Sequence, residues 1–275
     1  MRFRTEIEIA KAPWQIGYND KIALLGSCFS DNMARKFEQF YFRVVVNPTG
    51  TLYNPVSIAR HMDDDAVRDA DVFIITFGTA WIYMDKELST VNYQLSTVDN
   101  CAKRPASDFV RRRLTADEIV EIWQPIIASH PDKRFIFTVS PIRHLKDGLH
   151  ENNLSKSILL LAIERLTAQG SDFQQAQPVY FPAFEIMLDD LRDYRFYSDD
   201  LMHPNPVAIS YIWEHFVPTF MSGSTQNEMK ELSALWLNRN HRSLFPNSPE
   251  DIQFKTRTDE QFRALKKRYP WIPES

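Results

Sequence analysis

Five short apolar runs, each set between helical patterns, leave this chain few folds to choose from. They are Ile22–Leu25, Val44–Val46, Asp71–Phe77, Arg134–Ser140 and Pro178–Pro182. The runs are β-branched or aromatic and too short for buried helices, so they read as strands. Strands that alternate with helices form a parallel sheet covered on both faces. The expected class is therefore α/β, a three-layer sandwich around five parallel strands. The segment 1–222 is expected to hold this domain, and 223–275 to be a helical extension packed on it. Trp81–Met84 and Val91–Leu95 are expected to pair as a hairpin or an insertion.

The first run matters most for function. In Ile22-Ala-Leu-Leu-Gly-Ser-Cys-Phe-Ser-Asp31 a strand turns at Gly26 and enters an amphipathic pattern, with Ser30 or Asp31 as the N-cap and the helix running from Asp31 to about Phe42. Side chains in such a turn lie at the carboxyl edge of the sheet, where ligands bind in open α/β proteins. Glycine is scarce, at 7 residues, against roughly 7% in average usage. Gly26, Gly50 and Gly78 nonetheless each follow an apolar run closely, which marks the same edge three times.

Composition removes several classes of function. The net charge of −4 gives no electrostatic reason to expect nucleic acid as a partner. Arg111-Arg-Arg113, a compact basic run, reads as a solvated face. Two cysteines, Cys28 and Cys101, make neither a disulfide framework nor a zinc motif. No segment has the continuous apolar length of a membrane span, and the alternating N-terminus lacks the apolar core of a secretion signal. The expectation is a cytoplasmic protein, a monomer or weak homo-oligomer, that uses no cofactor and no membrane. A metal site from Asp199, Asp200, His203 and His215 is conceivable but lacks ligand spacing.

A hydroxyl nucleophile needs a base within reach, and the base needs an orienting acceptor. Asp200-Leu-Met-His203 offers both on one loop. Its three-residue separation brings the carboxylate back to the imidazole Nδ1–H and frees Nε2 to face Ser27. Cys28 is a rival nucleophile, because the start of a helix favours a thiolate. Arg143 and His144 follow the fourth strand and so reach the same edge, where Arg143 suits an anionic group. Asn47 either caps the Pro48–Gly50 turn or contacts substrate.

These residues carry a resemblance. Gly26-Ser-Cys-Phe-Ser30 resembles the signature of the GSCFA family, within the SGNH/GDSL-type hydrolase superfamily. The likeness extends through Asn47-Pro-Thr-Gly-Thr51, Phe77-Gly-Thr-Ala-Trp81, Ser140-Pro-Ile-Arg-His144, Asp147-Gly148, Glu151-Asn152 and Asp200-Leu-Met-His-Pro-Asn205, and so over most of the first 220 residues. It implies a flavodoxin-like sheet ordered 2-1-3-4-5, with Ser27 as nucleophile, His203 as base and Asp200 as the orienting acid. In the wider superfamily the third strand commonly ends Gly-x-Asn, the Asn donating to the oxyanion; here Ala80 follows Gly78-Thr79. The backbone N–H groups of Ser27 and Gly50, with the Thr79 hydroxyl, are the expected replacements. The activity implied is a serine esterase or acyl hydrolase on small esters, O-acetylated sugars among them. The alternatives are a catalytically weak glycan- or acyl-binding module and an acyltransferase using the same serine.

Overall fold

The computed structural model describes residues 4–88, 92–99, 104–168 and 177–274. Five parallel strands form its sheet: β1 (Lys21–Gly26), β2 (Arg43–Val46), β3 (Val72–Phe77), β6 (Arg134–Val139) and β7 (Val179–Tyr180). Their spatial order is β2-β1-β3-β6-β7, which is 2-1-3-4-5 when the five are counted among themselves. β3 lies at the centre, and all six of its side chains are buried.

Alternation along the strands divides the core in two. Ile22, Leu24, Val72, Ile74 and Ile136 face α1 (Cys28–Gln39) and α7 (Pro206–Phe220). Ala23, Leu25, Phe73, Ile75 and Phe137 face α2 (Pro55–Arg60), α4 (Ala116–Ser129) and α5 (Leu149–Ala168). That is the three-layer sandwich. The C-terminal helices α8 (Gly223–Arg239) and α9 (Pro249–Arg268) join the first of these layers: Leu232, Leu235 and Leu265 belong to the same buried cluster as Phe37 and Phe216. The alternating Thr5–Ile9 segment forms no strand; Ile7 and Ile9 lie against that cluster as an arm.

The insertion after β3 pairs differently from the sequence expectation. β4 (Trp81–Asp85) is antiparallel to β5 (Phe109–Arg113), Trp81 opposite Arg113. Tyr93–Ser96 is a single helical turn, α3, capped by Asn92, and Val91 lies outside the described residues. The arginine run is thus the last three of the five residues of β5. Its three side chains pair with Asp147, Glu118 and Glu151 in turn.

Register sets the site. Gly26 is opposite Thr76, and Phe77 is opposite Val139, so Ser27, Gly78 and Ser140 leave the sheet at one edge. Gly26 has φ +136°, and a Cβ there would sit 2.1 Å from the Thr76 carbonyl oxygen. Only glycine allows β1 to pass so close to β3 and turn at once.

Candidate active site

The turn at Gly26 is tighter than sequence periodicity suggests, and α1 begins three residues earlier than expected. Ser27, not Ser30 or Asp31, is the N-cap, and its Oγ accepts from Phe29 N at 3.3 Å. The same hydroxyl donates to Ser140 Oγ at 2.9 Å, joining the ends of β1 and β6 over the end of β3. Ser27 is 1% exposed. Cys28 takes the first helical position and is half-buried, with Sγ 3.5 Å from the Tyr53 hydroxyl.

Asp200 and His203 meet as their separation requires. His203 Nδ1 lies 2.6 Å from Asp200 Oδ2, while Asp200 Oδ1 accepts from the backbone N–H of Met202 and of His203. Those two backbone donors, that of His203 first, hold the carboxyl down at about 2. A carboxylate against Nδ1 favours the tautomer whose proton sits on that nitrogen. The loop is fastened to the sheet edge by Arg143 N, which donates to Met202 O at 3.3 Å, and closed on itself by Ser198 N donating to His203 O at 2.8 Å.

Two adjoining cavities open at this edge. One, of about 460 Å³, is walled by Tyr53, Trp81, Tyr83 and Arg111, with Thr79 and His144 deeper in. The other, of about 510 Å³, lies against Arg35, Lys36 and Ser210. Cys28 and His203 are the two residues common to both linings, and Ser27 lines neither. The Ser27 hydroxyl is buried, caps α1 and is bonded to Ser140.

The expected oxyanion donors are largely engaged elsewhere. Ser27 N–H donates to Thr76 O at 3.3 Å and Gly50 N–H to Asn47 O at 2.8 Å; Gly50 belongs to neither lining. Ala80 N–H donates to Ser155 Oγ. Thr79 does line the aromatic cavity, its Oγ1 3.0 Å from Ser155 Oγ and accepting from Trp81 N. Cys28, as the first helical residue, has a backbone N–H with no carbonyl partner inside its helix.

Asn47 sits at φ +40°, accepting from Gly26 N and donating to Asp31 Oδ1, so its amide braces the turn on both sides. Arg143 lines the aromatic cavity with its guanidinium over Tyr197, 4.4 Å from the ring centroid. His144 is beside it, edge-on to Tyr53. Burial, then the charge of Lys156, pushes its imidazole down to about 3, so it is neutral. Sequence reasoning misses Tyr53, Trp81, Arg111 and Lys156. Arg111 lies 3.9 Å over Trp81 and is bonded to Asp147; nothing in the run of three arginines signals that contact. Among the described residues no cluster of acidic, His or Cys side chains is arranged to hold a metal ion, and no helix is long and apolar enough to cross a membrane.

The model of the GSCFA family matches residues 21–66 and 61–216. No curated protein matches the chain. Among solved structures, one described as a candidate platelet activating factor from Streptococcus pneumonia is 11% identical with a TM-score of 0.43, over 72% of this chain and 83% of that one. A mutant of an acetyl-xylooligosaccharide esterase from Geobacillus Stearmophilus is 10% identical with a TM-score of 0.44, over 74% of this chain and 95% of that one.

Proposed function

The chain belongs to the GSCFA family, and from that premise we propose that it is an acyl hydrolase acting on small esters, with His203 as the proton-transfer group and Asp200 as its orienting acid. The observation that carries this reading is the 2.6 Å pairing of His203 Nδ1 with Asp200, at the boundary of two cavities that also meet the start of α1. A nucleophile in the β1–α1 turn gives up its proton to Nε2 and attacks the carbonyl carbon. His203 then protonates the departing alkoxide and activates the water that releases the acid. The Asp200 carboxylate holds the tautomer and stabilises the imidazolium. The Cys28 N–H and the Thr79 hydroxyl are the donors for the oxyanion. Cavity size and the aromatic wall of Tyr53, Trp81 and Tyr83 suit a small acyl ester of a ring-shaped alcohol, such as an O-acetylated sugar.

Turnover of p-nitrophenyl acetate by wild type and His203→Ala tests this. Loss of a general base lowers kcat/KM by about 10²–10⁴-fold, and that is the expected result. Equal background rates in the two proteins would sink the hydrolase. They would favour instead a binding module, the reading suggested by the engaged N–H groups of Ser27, Gly50 and Ala80.

A further inference from the structure

We infer that the nucleophile of this site is the Cys28 thiol rather than a hydroxyl; the inference rests on the hydrolase reading above and names the group that reading leaves open. Three observations carry it. The Ser27 hydroxyl is used twice, donating to Ser140 Oγ and accepting from Phe29 N, and the residue is 1% exposed. To attack, it would have to abandon its helix cap and its bond to β6 and leave the core. Cys28 is free of such duties: it is half-buried at the first position of α1, and among the described residues its Sγ is bonded to Tyr53 alone. Finally, among the described residues Cys28 shares the lining of both cavities with His203 alone.

The surroundings suit sulfur chemistry. The first turn of α1 presents the Cys28 N–H and the positive end of the helix dipole to charge that develops at Cys28. The Tyr53 hydroxyl stands 3.5 Å away, within hydrogen-bond reach of Sγ, and burial, then its bond to Cys28, pushes its phenol up to about 12, so it stays protonated. In the reaction Sγ leaves Tyr53 and passes its proton to His203 Nε2. The thiolate forms a bond to the acyl carbon, the ester C–O bond breaks, and the alkoxide departs with the proton from His203. Water, deprotonated by the same imidazole, then cleaves the thioester to carboxylic acid and free thiol. No redox partner enters, and water is the co-substrate.

The test uses the full chain carrying Cys101→Ser, so that one thiol remains. Cys28→Ala is expected to cut p-nitrophenyl acetate turnover at least about 100-fold, and Ser27→Ala, once its fold is verified by circular dichroism, less than about tenfold. Mass spectrometry of protein quenched during turnover should find the acetyl group on the Cys28 peptide, removable by neutral hydroxylamine. Acetyl on Ser27 that resists hydroxylamine would overturn the thiol while leaving the hydrolase intact. Iodoacetamide supplies a readout independent of turnover: alkylation of Cys28 should slow severalfold in His203→Ala. Alkylation that depends on His203 without any ester turnover would support the activated thiol and remove the ester reading. Rates that ignore His203, with no turnover, would remove both.

Discussion

Lys156 shows how much the site demands of one side chain. It is 1% exposed on α5, and its Nζ donates to Gly78 O at 2.6 Å and Ser140 O at 2.7 Å. One ammonium thus ties together the residues that follow β3 and β6. Burial lowers its pKa from 10.5 to about 7, opposed by the charge of Asp147. Between those two values the unfolded chain holds a proton that the folded chain has released, so stability rises with pH across that window. Below about 7 both states are charged, and the burial penalty is present in full. The wild type should therefore gain on the order of 1 kcal/mol per pH unit from this group between pH 7 and 9. Lys156→Met should flatten that slope; urea midpoints at pH 7, 8 and 9 check it, and parallel slopes in the two proteins would refute it. Legibility at this scale follows locality. The Asp200–His203 contact is readable in the sequence because a three-residue separation on a loop confines it. The choice between Ser27 and Cys28 is not, because it turns on which residue caps α1. A three-residue shift of that cap moves one side chain into the core and the next to the cavity.

At the scale of elements, the β1–α1 junction depends on a glycine more strictly than a turn usually does. Alanine at Gly26 meets both a φ of +136° and a backbone oxygen at 2.1 Å, whereas Gly50, at φ +98°, has nothing within 4 Å of a built Cβ. Gly50→Ala should cost about 1–2 kcal/mol, the strain of a left-handed residue. Gly26→Ala must also part β1 from β3, and should cost more than about 4 kcal/mol or prevent folding. Thermal unfolding of the two variants side by side decides it, and equal losses would mean that the contact with Thr76 relaxes freely. The five parallel strands are legible because each is a dense apolar run. β5 is not: Phe109-Val-Arg-Arg-Arg113 carries its strand signal in two residues, and its charges look solvated. They are neutralised by Asp147, Glu118 and Glu151, the last two on α4 and α5, partners that no local pattern reveals. Tyr93–Ser96 shows the reverse, a stretch with β-formers that caps at Asn92 and coils for one turn.

For the molecule as a whole, the question is whether 223–275 is a domain or part of one. Its buried residues answer in packing terms. Leu232, Leu235, Leu265 and Ile272 are at most 2% exposed and share a cluster with Ile22, Leu24 and Phe37. Trp271 Nε1 donates to Tyr41 O at 2.8 Å, and Arg43 lies over the same indole, 4.7 Å from its centroid. The C-terminal helices therefore cover the layer on which α1 rests, and α1 carries Cys28 at its first residue. A leucine removed from either side of the sheet should weaken one common unit. Leu232→Ala in α8 and Leu159→Ala in α5, both fully buried, should each cost about 2–5 kcal/mol. Each should shift a single urea transition without splitting it. Fluorescence and circular dichroism followed together should give coincident midpoints, and ester turnover should vanish at that same midpoint. An early, separate transition in Leu232→Ala that leaves turnover intact would instead mean that α8 and α9 melt on their own, and that the α1 layer holds the site without them.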